Sequence, residues 1–252
     1  MTRLLTMRTV RMSVLLASLV AGAAAGLVAT AVGSFAQAPA RAGVSFGVRL
    51  MGTPGPKLDT ARTAASDGLA RFSPAILTLG YKKYGFASAD ELRNATVGAP
   101  IRVASVSLPT LAAFSRGKSA RSLIKSSDGL IVPVLVGGAA RCAIFLKPAG
   151  WGYSAVGIGQ PATTKLIVKA LSDVAAANQV TTASLYLVKV PGLFLTFVAR
   201  QNGPQTLLTL VSRKTAFAIP PAREFLAEDT LGKLTDAAKR ARPSNLSGHH
   251  PK

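Results

Sequence analysis

Leu130-Ile-Val-Pro-Val-Leu-Val-Gly-Gly-Ala-Ala-Arg-Cys-Ala-Ile-Phe-Leu-Lys-Pro-Ala-Gly-Trp-Gly-Tyr-Ser-Ala-Val-Gly-Ile158 is the stretch that decides the fold. Leu130 to Val136 is apolar on both phases, the pattern of a strand covered on both faces. Pro133 has no backbone donor, so this strand needs an edge or a bulge at that point. Gly137-Gly138 is a hairpin turn signal, because glycine accepts the positive φ that tight hairpins require. Ala139 to Lys147 returns with Arg141 and Lys147 on one phase and Cys142, Ile144 and Leu146 on the other. Pro148-Ala-Gly150 turns again, and Trp151 to Ile158 makes a third strand.

A helix follows this meander, capped near Thr163, with Leu166, Ala170 and Val174 four apart and Ile167 and Leu171 beside them. The same grammar then recurs. Strands are expected at Thr181–Val190, Leu193–Arg200 and Gln205–Ser212, separated by Pro191-Gly192 and Gln201-Asn-Gly-Pro204. Pro220-Pro221 opens a final helix to about Ala241, carrying Phe225, Leu226, Leu231 and Leu234. Upstream, Ser88-Ala-Asp-Glu91 is a capping box for a short helix over Ala89–Ala95. Ile101 to Val106 is a strand, and Leu108-Pro109 starts a short helix with Leu111 and Phe114. Arg116 to Asp128 reads as basic loop, with Asp128-Gly129 as a turn. The sum is an α+β domain: an antiparallel sheet of about six to seven strands with three to four helices laid on one face. It reads as two β-β-β-α units without side-chain identity between them.

The ends of the chain have a different character. Arg3, Arg8 and Arg11 precede an uncharged apolar run over residues 12–33, and Ser34-Phe-Ala-Gln-Ala-Pro-Ala40 closes it with small residues. A basic start, an apolar centre and a small-residue exit make residues 1–40 a secretory signal peptide. The run is also long enough to span a bilayer, and Gly22-Ala-Ala-Ala-Gly26 has helix-pairing spacing, so an uncleaved membrane anchor stays open. Either way the body is expected outside the cytoplasm, periplasmic or extracellular. Residues 41–70, with Met51-Gly-Thr-Pro-Gly-Pro56, read as a flexible linker. Residues 71–242 are the single folded domain, and 243–252 a disordered polar tail.

Charge sets the expected partner. Three of the 30 basic residues lie in 1–40, leaving 27 against 10 acidic ones. Such a body is drawn to anionic surfaces: an acidic envelope polymer, a membrane surface, or an acidic protein partner. Nucleic acid is disfavoured by the compartment and by the lack of aromatics interleaved with the basic residues. Arg116, Lys118, Arg121 and Lys125 cluster without a helix-capping role, which makes them the first candidate contact. Trp151 and Tyr153, beside glycines at a strand start, are a candidate ligand rim, with core packing as the competing role.

Catalytic chemistry is thinly supplied. The only histidines, His249 and His250, lie in the tail, so a histidine-based triad, base or zinc site in the body is not expected. Cys142, the only cysteine, falls on the apolar phase of its strand and reads as a buried thiol. Ser115-Arg-Gly-Lys118 and Ser122-Leu-Ile-Lys125 share the spacing of a serine–lysine nucleophile, which arises cheaply. Glu224 and Glu228, four apart beside Asp229, are a possible acid–base pair, or helix-start acids stabilised by the dipole. No catalytic residue, metal or cofactor is assigned. The expectation is an exported, non-enzymatic envelope protein; the alternative is an envelope hydrolase using carboxylates or a Ser/Lys pair.

Overall fold

The computed structural model describes residues 58–115, 117–211 and 217–241. The expected signal or anchor, the linker up to residue 57 and the tail lie outside them. Within them the chain is mixed α+β, built on one nine-stranded, mostly antiparallel sheet.

The meander takes the expected form. β3 (Lys125–Val136), β4 (Ala139–Ala149) and β5 (Gly152–Gly159) pair antiparallel in sequence order. Gly137 and Gly138 both have positive φ, 56° and 80°, as a two-residue hairpin of this twist demands. Pro133 is central rather than at an edge. Its other neighbour is interrupted: β1 (Thr96–Val97) pairs with β3 as far as Val134, and β2 (Ile101–Ser105) resumes at Ile131. The missing N–H faces that gap, where the Gly98 N–H donates to the Pro133 carbonyl at 2.8 Å. β3 also begins earlier than the sequence suggests, at Lys125. Asp128 and Gly129 are a bulge in it, since Arg102 opposes Leu130 while Val103 opposes Ser127.

α4 (Pro161–Asn178) follows, buried through Thr164, Ile167, Leu171 and Val174. β6 (Tyr186–Val190), β7 (Leu195–Asn202) and β8 (Gln205–Leu210) form the second meander. The strand expected from Thr181 starts only at Tyr186, because Thr182–Ser184 makes a helical turn. The final helix is also shorter than expected. Glu224–Leu226 adds β9 to the edge of the sheet, and α5 runs over Ala227–Arg240. Phe225 and Leu226 fit an apolar helical stripe by spacing, but the stripe that is buried begins at Ala227 and continues through Leu231, Leu234 and Ala238. The second unit thus has four strands before its helix, and the two short strands β1 and β9 raise the sheet above the expected six to seven.

Strand order is β5-β4-β3-β2-β6-β7-β8-β9. The two meanders meet through β2 and β6, the one parallel pairing in this order. Helices cover both faces, which corrects the one-sided arrangement. Leu130, Val132 and Val134 of β3 pack with Cys142, Ile144 and Leu146 of β4 beneath α1 (Leu58–Leu79). On the same face Val188, Phe197, Ala199 and Leu208 pack beneath α5 and α3 (Leu108–Ala112). The alternate residues Ile131, Ala143, Leu187 and Val198 point the other way, against Ile167, Leu171 and Val174 of α4. A strand apolar on both phases is what this double cover requires. Cys142 is fully buried, as its phase implied, and burial pushes its thiol up to about 12.

The largest correction is α1. Residues 58–70, expected as linker, are the greater part of this 22-residue helix. Small residues looked like a flexible composition, but Ala61, Ala65 and Gly68 are its buried contact stripe, extended by Leu69 and Ile76. A Cβ placed on Gly68 would sit 2.4 Å from the Ala155 Cβ of β5, so only glycine lets helix and strand approach this closely. Arg71 locks the contact by donating to the Ala155 carbonyl. The capping box of α2 (Ala89–Arg93) forms as expected, Ser88 Oγ accepting from the Glu91 N–H at 3.1 Å.

Gly68→Ala is accordingly expected to destabilise the domain. Helix propensity favours alanine by about 1 kcal/mol, but overpacking against Ala155 costs about 1–3 kcal/mol. Denaturant unfolding should show a net loss for Gly68→Ala and partial recovery when Ala155→Gly is added. A linker at this position would instead leave Gly68→Ala neutral or stabilising.

Candidate functional site

The basic cluster expected over 116–125 does not stay together. Arg116 lies outside the described residues. Lys118, Arg121 and Lys125 are all exposed, yet the backbone sends them to different places. After α3 the chain makes a helical turn at Ala120–Ser122 that rests on α5, with the Ala120 N–H donating to Glu228 Oε1 at 3.0 Å. The positive charges of Arg102 from β2 and of Arg121 from this turn both act on the Tyr186 phenol. Burial raises that phenol's pKa, against smaller lowering effects from Thr206, Gln201 and the two guanidinium groups. Gln201 Nε2 donates to the Tyr186 hydroxyl at 3.1 Å and to Thr206 Oγ1 at 3.0 Å. Lys125, by contrast, opens β3 with its side chain on the face that carries α4.

There it joins residues that sequence reasoning did not single out. Ser105 opposes Lys125 across the antiparallel β2–β3 pair and Lys189 across the parallel β2–β6 pair. Lys189 in turn opposes Thr196 of β7. Directly opposed residues share a face, so four consecutive strands present Lys125, Ser105, Lys189 and Thr196 in one row, about 4.8 Å apart from strand to strand. In the next row inward Ser127 is followed by the apolar Val103, Leu187 and Val198, and Leu187 and Val198 lie in the core under α4. The row is therefore the wet margin of a dry core. Lys189 is half-buried, and burial pulls its ammonium below the usual lysine range. Among the described residues neither lysine has a carboxylate within ion-pair distance. A desolvated cation flanked by two hydroxyls, with a second ammonium one row position further, is chemically an anion receptor. No local motif marks it, because its four members are separated in sequence and converge only through strand register.

Strand direction assigns the turns to the two ends of the sheet. β2 and β6 both finish at the end that holds the row, and the β4–β5 and β6–β7 turns lie at that end too. Trp151 sits in the first of these turns and is 99% exposed, which overturns the core-packing role. Tyr153, two residues on, packs against the core beneath α1, so the two do not form a shared rim. Phe194, in the second turn, has φ 55° and is 94% exposed. It was expected inside a strand; its turn position was not legible because Pro191-Gly192 alone suggested a shorter reversal.

The carboxylates are engaged elsewhere. Glu91 accepts from the Ala87 N–H at 2.7 Å and from Arg141 at 2.5 Å, and the backbone bond chiefly, with Arg141 adding, holds its carboxyl below the usual range. Glu224 takes a two-pronged contact from Arg200 at 2.8 and 2.9 Å. Glu224 is on a strand and Glu228 on a helix, so the expected same-face pair does not form. The serine–lysine spacings are not helical either: Ser122 is in a helical turn, donating to the Ser119 carbonyl, while Lys125 is in β3. A cleft of about 810 Å³ runs between α4 and β8–β9, with Leu166, Ala170 and Val174 on one wall and Thr209 and Val211 on the other. Among the described residues no group of three His, Cys, Asp or Glu side chains is placed to hold a metal, and no helix is long and apolar enough to cross a membrane.

No protein-family model, curated protein or solved structure matches the chain.

An unpaired, partly desolvated ammonium disfavours folding wherever it is charged. Because the folded-state pKa of Lys189 is depressed, this cost is full at low and neutral pH and fades as pH rises through the depressed value. Lys189→Met is expected to raise stability at pH 7 and to lose that advantage at alkaline pH. Thermal melts across pH 6–11 would check it; an equal or lower melting temperature for the variant at pH 7 would count against the receptor assignment.

Proposed function

We propose that this chain is an exported, non-enzymatic protein of the cell envelope that binds an anionic surface through the Lys125–Ser105–Lys189–Thr196 row. The observation that carries the reading is Lys189, a half-buried cation with no acidic partner among the described residues, lined up with hydroxyls and a second lysine. Folding alone gives no reason to keep a charge there, since an apolar side chain would extend the core beneath α4. The composition supports the same partner, with 30 basic residues against 10 acidic ones, as does the signal-like or anchor-like run over residues 12–33. Anionic phospholipid and acidic envelope polymer share the chemistry that would be recognised: closely spaced negative oxygens.

The test is retention on anionic vesicles or an immobilised acidic polymer across salt steps. Retention should fall steeply with ionic strength as screening shortens the range of the attraction. Lys125→Ala with Lys189→Ala should cut it at least tenfold, about 1.4 kcal/mol. Lys118→Ala with Arg121→Ala should do much less. Retention that ignores salt, or that depends on Lys118 and Arg121 instead, would overturn the assignment.

One observation favours a second reading, the envelope hydrolase with a Ser/Lys pair. Lys189 is directly opposite Ser105, and a lysine with a lowered pKa beside a serine hydroxyl is the arrangement such a nucleophile needs. A serine-directed fluorophosphonate probe decides it. Labelling lost in both Ser105→Ala and Lys189→Met would establish the hydrolase; no labelling leaves the binding reading.

A further inference from the structure

We infer that the end of the sheet carrying the lysine row is seated on an anionic phospholipid bilayer, with Trp151 and Phe194 as its interfacial anchors. This rests on the proposed anionic partner and narrows it to one source.

Three independent features meet at this end. The first is aromatic. Trp151 and Phe194 are the two most exposed large apolar side chains among the described residues, at 99% and 94%, and both lie in turns on the same edge. Full exposure of an aromatic ring costs solvation free energy that a bilayer interface would return. Tryptophan in particular favours the headgroup level, where its ring is half in hydrocarbon and its N–H still meets water. The turns join β4 to β5 and β6 to β7, so the two rings are on the order of 20 Å apart, four strand spacings. That is the stance of two feet on a surface rather than the walls of a small-molecule pocket.

The second feature is charge. Lys125, Lys147 and Lys189 all emerge at this end on the face that carries α4, since Lys147 shares its strand phase with Ala143, which packs there. Asp59 and Asp128 also lie toward this end, and leave a basic excess close to the two aromatics. Basic side chains placed beside interfacial aromatics gain about 1 kcal/mol each near an anionic leaflet.

The third feature is where the chain comes in. α1 starts at Leu58, and Thr60 Oγ1 lies 3.9 Å from the position a Cβ would take on Gly152, the neighbour of Trp151. Further along α1, Gly68 meets Ala155, so the helix climbs away from this end along β5. Leu58, the residue from which the sequence leads back to the apolar run of residues 12–33, therefore lies at the end of the sheet that bears Trp151 and the lysines.

Trp151 is the only tryptophan, so intrinsic fluorescence reports on this turn alone. The full chain would be reconstituted in vesicles containing about one third phosphatidylglycerol, a fraction chosen to give the negative surface potential that attracts basic residues. Brominated phosphatidylcholine and aqueous acrylamide would serve as quenchers. The inference predicts a blue-shifted emission, quenching by shallow bromines and loss of acrylamide quenching, all reduced by Phe194→Ser. A second chain, Trp151→Phe with Phe194→Trp, should give the same result from the other turn. Both sites are solvent-exposed, so neither change threatens folding. Emission from a water-exposed tryptophan in both chains, equally quenched by acrylamide with and without vesicles, would overturn it. If that happened while retention stayed dependent on salt and on Lys125 and Lys189, the anionic receptor would survive and only the bilayer seating would fail. Lipid quenching that persists with neutral vesicles would keep the seating and remove the lysine row from it.

Discussion

The parallel pairing of β2 with β6 is the contact on which the rest of the structure depends. It runs over Val103–Leu187, Ala104–Val188 and Ser105–Lys189, and among the described residues no other strand pairing joins the two halves of the sheet. β2 has only five residues, yet it is hydrogen-bonded on both sides, antiparallel to β3 and parallel to β6. A parallel pair cannot be closed by a tight turn. The chain between β2 and β6 accordingly contains a whole meander and α4, and α4 is laid back across the joint. Its Ile167, Leu171 and Val174 belong to one buried cluster with residues of β2, β3, β4, β6 and β7, so the helix covers the joint from one side. On the other side each half has its own core, under α1 and under α3 with α5.

The same pairing generates the candidate site. Parallel strands finish at the same end, so Ser105, the last residue of β2, and Lys189, the last but one of β6, are neighbours at the margin of the sheet. An antiparallel joint would have placed Lys189 at the opposite end of β2, toward Ile101 and Arg102, and left Ser105 facing the start of β6 instead. The electrostatic consequence follows from how few acids are left over. Glu91, Glu224 and Glu228 each hold a backbone donor or an arginine in place, and Asp173 pairs with Lys169. These four carboxylates serve the framework, and among the described residues neither Lys125 nor Lys189 has one within ion-pair distance.

What was legible in the sequence was whatever repeats locally. Gly137-Gly138, Ser88 with Glu91, and the double-phase apolar run Leu130–Val136 each carry their own structural instruction, and each is found in the fold. What escaped depends on partners distant in sequence. Ala61, Ala65 and Gly68 look like linker until Ala155 is set against them, because small residues serve both flexibility and close packing. Phe225 suits a helix by spacing and a strand by its pairing with Leu208, and only the sheet edge decides between them. The candidate site was half visible: Lys125 stood out through its basic neighbours, whereas Lys189 and Ser105 gave no signal, being single polar residues at strand ends. Trp151 stands in the sequence as a candidate rim with core packing as the competing role, since sequence cannot tell an aromatic that packs from one held out in a hairpin turn.

The most direct measurement of the account is a two-dimensional amide NMR titration with a soluble phosphatidylglycerol headgroup, glycerophosphoglycerol. Shifts should concentrate on Ser105, Lys125, Lys189 and Thr196, weaken with added salt and disappear in the Lys125→Ala, Lys189→Ala double variant. Shifts centred on Arg102, Arg121 and Tyr186, or along the cleft between α4 and β8, would contradict it.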